Sequence, residues 1–201
     1  KKGVLSMDNQ KIDGRVRRTK KLLREGLTKL MREKSIKKIS VRELSDLVEI
    51  NRGTFYLHYK DIFDLVEQIE NELFEEFESI INQYSANSHN SSPYPIFVDC
   101  CRFLEKNKDI CSALLGSNGD IDFSMKHKKF MAERCFEEFT RYNQTQAFKE
   151  EYNYIYSYFE AGAVGIVRYW LTDTSGTRKT PEDVALMLDL LFTKGFSGFE
   201  K

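Results

Sequence analysis

Apolar residues recur along this chain at intervals of three and four, with few runs that alternate at intervals of two. That spacing predicts helices throughout and an all-α fold. In the first helix, residues 15–33, Val16, Leu23, Leu27, Leu30 and Met31 form one stripe. Ser40 is a good N-cap for a second helix, and Glu43 three places on completes a capping box. That helix runs to about Val48, with Val41, Leu44 and Val48 facing inward. Glu49, Ile50 and Asn51 make a tight turn into a third short helix over 52–58. Asp61 then caps a long fourth helix, 61–82, whose apolar positions are Ile62, Leu65, Val66, Ile69, Leu73, Phe77 and Ile80.

The pattern breaks at YSANSHNSSPYP, 84–95, where Ser, Asn and Pro crowd together. It resumes over 96–106, again briefly over 110–115, and over 123–142 with Phe130, Cys135, Phe136 and Phe139 apolar. Residues 150–172 form a helix rich in aromatic and small residues. The loop DTSGTRKT ends in Thr180-Pro181, an N-cap followed by proline at the first helical position. A final helix carries Val184, Met187, Leu188, Leu191, Phe192 and Phe196.

Composition changes the picture in one respect. The 31 basic and 31 acidic residues cancel over 201 residues, yet they are unevenly placed. Residues 1–60 hold 17 Lys+Arg against 7 Asp+Glu, while 61–201 hold 14 against 24. A basic head on an acidic body suits a polyanion partner. No apolar run nears the roughly 20 residues of a membrane helix, and KKGVLSMDNQ lacks a secretory apolar stretch, so no membrane partner and a cytoplasmic location are expected. The four cysteines, at 100, 101, 111 and 135, show no C-x-x-C spacing and read as buried free thiols. The three histidines stand in unrelated contexts, and no G-x-S-x-G, H-E-x-x-H or phosphate-binding glycine loop occurs. No catalytic residue, metal or cofactor is therefore expected.

Chemistry concentrates in SVRELSDLVEINRGTFYLHYK, 40–60. Two short helices around a tight turn, the second polar, aromatic and basic, make a helix-turn-helix suited to a DNA major groove. Residues 16–80 resemble the DNA-binding domain of the TetR family of transcriptional regulators. NRGTFYLHYK, 51–60, is similar to that family's recognition-helix motif. EAGAVGIVRYWL, 160–171, and TPEDVALMLDLL, 180–191, resemble the penultimate and last helices of one branch of it. Two positions depart. The family usually has glycine where this chain has Glu49, and tends to place lysine where this chain has Ile62.

Within that motif Phe55 and Tyr59, one turn apart, are expected in the core. Gly53 lets the helix start approach phosphates or a partner helix closely. Asn51, Thr54 and Leu57 are candidates to reach base edges: asparagine pairs with adenine, and threonine and leucine meet a thymine methyl. Tyr56 and His58 project toward phosphates, with Lys60 beside them. Ser40 is counted with the DNA-facing set, Arg42 reaches backbone or base, and Arg52 suits either role. Arg17 and Arg18, with Lys20, Lys21, Lys37 and Lys38, are candidates to grip flanking phosphates.

The resemblance implies a division into a DNA-binding head, 1–60, and a dimerisation and ligand-binding body, 61–201. It implies a homodimer through the last two helices, meeting a pseudo-palindromic double-stranded DNA operator, most often as a repressor released by a small-molecule effector. The patch Ala161, Gly162, Ala163, Gly165 agrees with close helix pairing or with ordinary packing inside one chain. Candidate lining for an effector pocket is Phe97, Cys101, Leu104, Phe130, Tyr152, Tyr156 and Phe159, set against the plainer reading of these as core. The alternative function is a TetR-like coactivator that works mainly through a protein partner.

Overall fold

The structure is a computed structural model that describes residues 2–85, 93–116 and 146–196, with side chains over 14–84, 93–116 and 151–195. The described residues hold eight α-helices and no strand. They are α1 Lys2–Glu33, α2 Val41–Leu47, α3 Arg52–Tyr56, α4 Ile62–Ser85, α5 Tyr94–Lys106, α6 Lys108–Leu114, α7 Gln146–Thr172 and α8 Pro181–Phe196. A single 3-10 turn, Ile36–Lys38, joins α1 to α2. The helix expected over 123–142, with Phe130 and Cys135, lies outside the described residues.

Local caps start the helices where the sequence predicts them. The Ser40 hydroxyl accepts the Glu43 N–H at 3.2 Å. The other half of that capping box is diverted, because the Glu43 carboxylate pairs with Lys34 instead. Asp61 accepts the Asp64 N–H at 2.8 Å, and Asp64 accepts the Lys60 N–H at 2.7 Å. At α8 the box is complete. Thr180 Oγ1 accepts the Asp183 N–H at 3.2 Å, and the Asp183 carboxylate accepts the Thr180 N–H at 3.1 Å. The Thr180 N–H holds the Asp183 carboxyl below the usual range, as the Lys60 N–H does for Asp64. Helix α1 begins at Lys2, not at 15, and α3 is shorter than expected, ending at Tyr56.

One buried cluster runs through the molecule. Leu23, Leu27, Leu30 and Met31 from α1 join Leu44, Phe55 and Tyr59, then Ile62, Leu65, Val66, Ile69, Leu73 and Phe77 from α4. Val98, Cys101, Phe103, Ile110, Leu114, Trp170, Leu171, Val184 and Leu188 continue it into the body. Ile81 is buried on α4, whereas Ile80, the position expected inside, is only half-buried. Burial pushes the Cys101 and Cys111 thiols up to about 12, so both stay protonated near neutral pH.

Polar bonds on the rim of that core tie α1 to the body. Arg24 donates to Asn107 Oδ1 at 3.0 Å, at the corner between α5 and α6, and lies 3.8 Å from Glu72 of α4. Arg32 pairs with Asp109 of α6. The α7–α8 loop is pinned as well. Arg178 makes a forked pair with Glu105 of α5 at 2.9 and 2.5 Å, donates to the Trp170 carbonyl at 3.0 Å, and stacks on the Trp170 ring at 4.7 Å. The Trp170 indole N–H donates to the Lys179 carbonyl at 2.7 Å. No described helix is long and apolar enough to cross a membrane.

Candidate nucleic-acid interface

Among the described residues, the turn before α3 carries the one non-glycine residue with positive φ. Glu49 has φ 55°, the left-handed region that glycine enters without steric cost. The sequence departure at this position is therefore a non-glycine residue held in a glycine conformation. Leu44 and Val48 close on α1 at Gly26, where a Cβ would fall 2.3 Å from a Val48 methyl and 3.0 Å from a Leu44 methyl. Gly26 thus lets α1 and α2 meet closely.

Helix α3 is anchored by its inner face. Phe55 is fully buried and Tyr59 is 5% exposed, with their rings 5.7 Å apart. Burial, with Glu72 and Asp64 adding to it, pushes the Tyr59 hydroxyl up to about 12. These two rings fix the roll of the helix about its own axis. Asn51, Arg52, Gly53, Tyr56 and Leu57 are consequently exposed, and Thr54 is partly so. Tyr56 is 58% exposed and Leu57 79%.

Several expected roles are narrowed by local bonding. Asn51 is the N-cap of α3, and its side-chain oxygen accepts the Gly53 N–H at 2.7 Å. The candidate base reader thus also serves as a helix cap. Gly53 fits beside this cap, because a Cβ there would stand 3.2 Å from the Asn51 oxygen. His58 is half-buried, with its ring 6.2 Å from that of Tyr59, instead of pointing fully outward. Arg42 is exposed and 3.7 Å from Asp46, one helical turn on, a pairing weak enough for a phosphate to displace. Ser40 is exposed and keeps a hydroxyl proton to donate.

Among the flanking cations, Arg17 and Arg18 are exposed and form no ion pair among the described residues. Lys37 and Lys38 are exposed in the 3-10 turn. Lys20 turns inward, 4.0 Å from Glu72 and 6.0 Å from the Tyr59 ring centre, and Lys21 lies 3.8 Å from Glu25. The Lys21–Glu25 pair is exposed and, like Arg42–Asp46, weak enough for a phosphate to displace, whereas Lys20 also lies near the Tyr59 ring. Lys60 is exposed. Ile62 is 4% exposed and belongs to the core, so it offers a phosphate nothing. Beside it Phe63, which the apolar pattern passes over, is 53% exposed in the first turn of α4.

The body residues expected to line a pocket fall into packed groups. Phe97, Phe159 and Phe192 meet with ring centres 4.8 to 6.4 Å apart. Tyr152 and Tyr156 are buried and stacked at 5.8 Å. Cys101 is buried and Leu104 partly buried in the core cluster. Phe130 lies outside the described residues. A hollow of about 470 Å³ lies elsewhere, on the polar side of α4 among Glu75, Glu78, Ser79, Asn82 and Gln83. It contains none of the expected lining.

The outer faces of α7 and α8 are the second exposed surface. On α7, Tyr154, Tyr158 and Tyr169 are 75 to 85% exposed, and Ala161, Gly162 and Gly165 lie open between them. A Cβ added at Gly162 or Gly165 would meet nothing within 4 Å. On α8, Leu186, Met187, Leu190 and Leu191 are exposed. Of the small patch, only Ala163 packs against the core.

A three-helix head with an anchored second reading helix, on a helical body, defines a helix-turn-helix transcriptional regulator. The profile of a "Transcriptional regulator C-terminal region" family of TetR type matches residues 90–194, just over half of the chain, and the chain belongs to the TetR family of transcriptional regulators. Its fold is similar to that of a TetR transcriptional regulator from Streptococcus agalactiae 2603V (TM-score 0.61, 18% identity, 91% of this chain and 98% of that one). It is equally similar to a transcriptional regulator from Aquifex aeolicus VF5 (TM-score 0.61, 16% identity, 89% and 99%). A third similar structure is the dihydroxyacetone kinase operon activator DhaS (TM-score 0.52, 18% identity, 91% and 98%). No curated protein matches the sequence. Members of this family are transcription factors and not enzymes.

Proposed function

We propose that this chain is a sequence-specific repressor that binds a pseudo-palindromic operator as a homodimer, in the cytoplasm. Residues 1–60 read the DNA, and residues 61–201 pair the subunits and hold a small-molecule effector that releases them from the operator. One observation carries the reading: Phe55 of α3 and Tyr59 just beyond its C-cap are buried, and Arg52, Thr54, Tyr56 and Leu57 turn outward, Thr54 only in part. A helix with that roll presents hydroxyl, guanidinium and alkyl groups together to base edges and phosphates. Arg17, Arg18, Lys37, Lys38 and Lys60 supply the charge around it. The open faces of α7 and α8 support pairing of two copies, because they gather large apolar and small residues that one chain leaves uncovered.

The test is binding of the purified protein to the DNA upstream of its own gene, across a salt series, with a scrambled duplex as control. Selective binding with a steep salt slope is expected, together with its loss in Thr54→Ala/Tyr56→Ala. Equal weak binding to both duplexes, and to sites drawn from random DNA, would sink the reading. The coactivator reading draws support from the burial of Ile62, which removes one cation from the DNA face. In that case the double variant would keep its protein partner while DNA contributed nothing. A promoter fusion decides the sign of regulation: repression requires expression to rise when the gene is deleted.

A further inference from the structure

Base readers of a recognition helix must be exposed and must have unspent hydrogen-bonding or apolar capacity. Few side chains here meet both conditions. Phe55 and Tyr59 are core, Gly53 has no side chain, and His58 is half-buried against Tyr59. Asn51 has engaged its carbonyl oxygen with the Gly53 N–H, which ties the side chain to the start of α3 and leaves that oxygen one lone pair. Arg42 stands beside Asp46 on α2. What remains on α3 is the Arg52 guanidinium, the Thr54 and Tyr56 hydroxyls, and the Leu57 isobutyl group.

Guanidinium and hydroxyl groups accept several partners, bases and phosphates alike. An isobutyl group accepts one kind of major-groove partner, the C5-methyl of thymine. Leu57 is also well placed. It is the C-cap of α3, with αR backbone (φ −71°, ψ −20°), and its N–H donates to the Gly53 carbonyl at 3.2 Å. Residues two apart on a helical turn point about 200° apart, and Leu57 keeps αR backbone, so burying Phe55 aims Leu57 outward. At 79% exposure it is the most exposed large apolar side chain among the described residues of the head.

We infer that Leu57 is a specificity residue that reads a thymine methyl in each half-site. This inference rests on the DNA-binding reading and names part of its target: an operator with a thymine at one fixed step of each half-site, recognised by its methyl group and not by its hydrogen-bonding edge.

The experiment starts from the duplex that the full-length protein selects from random DNA. Each thymine of a half-site is replaced in turn by deoxyuridine, which removes only the methyl. With the unaltered protein, one position per half-site should lose about fourfold in affinity, and about fifteenfold when both half-sites carry the change, the worth of one buried carbon each. Leu57→Ala should bind the thymine and uracil duplexes at that position equally, while keeping the response of the unaltered protein at every other position. Far-UV circular dichroism checks that this surface variant is folded. Tight, selective binding in which no uracil effect is lost in Leu57→Ala would overturn the methyl contact and leave the DNA-binding reading standing. Failure to select any duplex would overturn both.

Discussion

Two surfaces of this molecule leave apolar side chains in water, and they do so differently. On α3 a single leucine and a tyrosine stand among hydroxyls, a guanidinium and a helix-capping amide. On α7 and α8 four aliphatic side chains and three tyrosines surround two glycines and an alanine. The first surface is mostly polar and keeps its groups apart, as a hydrated and charged partner demands. The second gathers large apolar side chains, with low points at Gly162 and Gly165 where another backbone can come close. Exposure alone does not distinguish them. What surrounds the exposed carbon does.

The largest expected effect tests whether the reading face depends on its buried anchor. Phe55→Ala should cost about 3–5 kcal/mol of stability, read as a lowered midpoint in thermal or urea unfolding. A loss under about 1 kcal/mol would mean that α3 is held by something other than that ring.

Gly165→Leu probes the second surface. Among the described residues nothing lies within 4 Å of the added Cβ, so the subunit should fold unchanged. Pairing through this face should weaken by about tenfold or more, since overpacking typically costs 1–3 kcal/mol. Sedimentation over a dilution series reads the difference. An unchanged association constant would move the interface elsewhere.

The Arg178 clasp governs how α7 and α8 sit on α5. Arg178→Ala should cost about 1–2 kcal/mol, allowing for the exposure of Glu105. Its hydrogen bonds from Arg178 hold the Glu105 carboxyl below its usual value. A carboxylate depressed in the folded state stabilises above its unfolded pKa of about 4.3, and loses that contribution as pH falls through the lower folded value. The gap in melting temperature between the parent and Arg178→Ala should therefore shrink between pH 7 and pH 3. A constant gap would assign the clasp to stacking on Trp170.

The smallest effect belongs to the turn. Glu49→Gly removes left-handed strain of about 1–2 kcal/mol and adds chain entropy to the unfolded state, leaving a net gain of about 0.5–1 kcal/mol. A loss of stability would show that the Glu49 side chain contributes something the turn needs.

What was legible in the sequence was mostly local. Ser40, Asp61 and Thr180 announce helix starts because a cap is a bond across two or three residues. The inner positions of α3 follow from spacing, because Phe55 and Tyr59 fall one turn apart. The misses involve a choice between partners. Glu43 could close its capping box or meet Lys34, nine residues back, and only the folded path of the chain brings Lys34 near. The Arg178–Glu105 pair spans 73 residues, and no periodicity reports such a distance. Asn51 is a candidate reader because its type suits adenine, and spacing does not report that its oxygen also caps the start of α3. Phe97, Tyr152, Tyr156 and Phe159 are legible as inward aromatics, but spacing cannot separate a ring that lines a hole from one that fills it.

The buried cluster passes without a gap from Leu23 and Phe55 through Ile62 and Leu65 to Trp170 and Val184. The proposed division of labour near residue 60 is thus not a place to cut. A fragment ending at Lys60 would lose Ile62, Leu65 and Val66, the oily lid shared with Phe55 and Tyr59. An engineer who wanted a new target sequence would do better to rewrite the outward positions 52, 54, 56 and 57 in place than to transplant the head as a cassette.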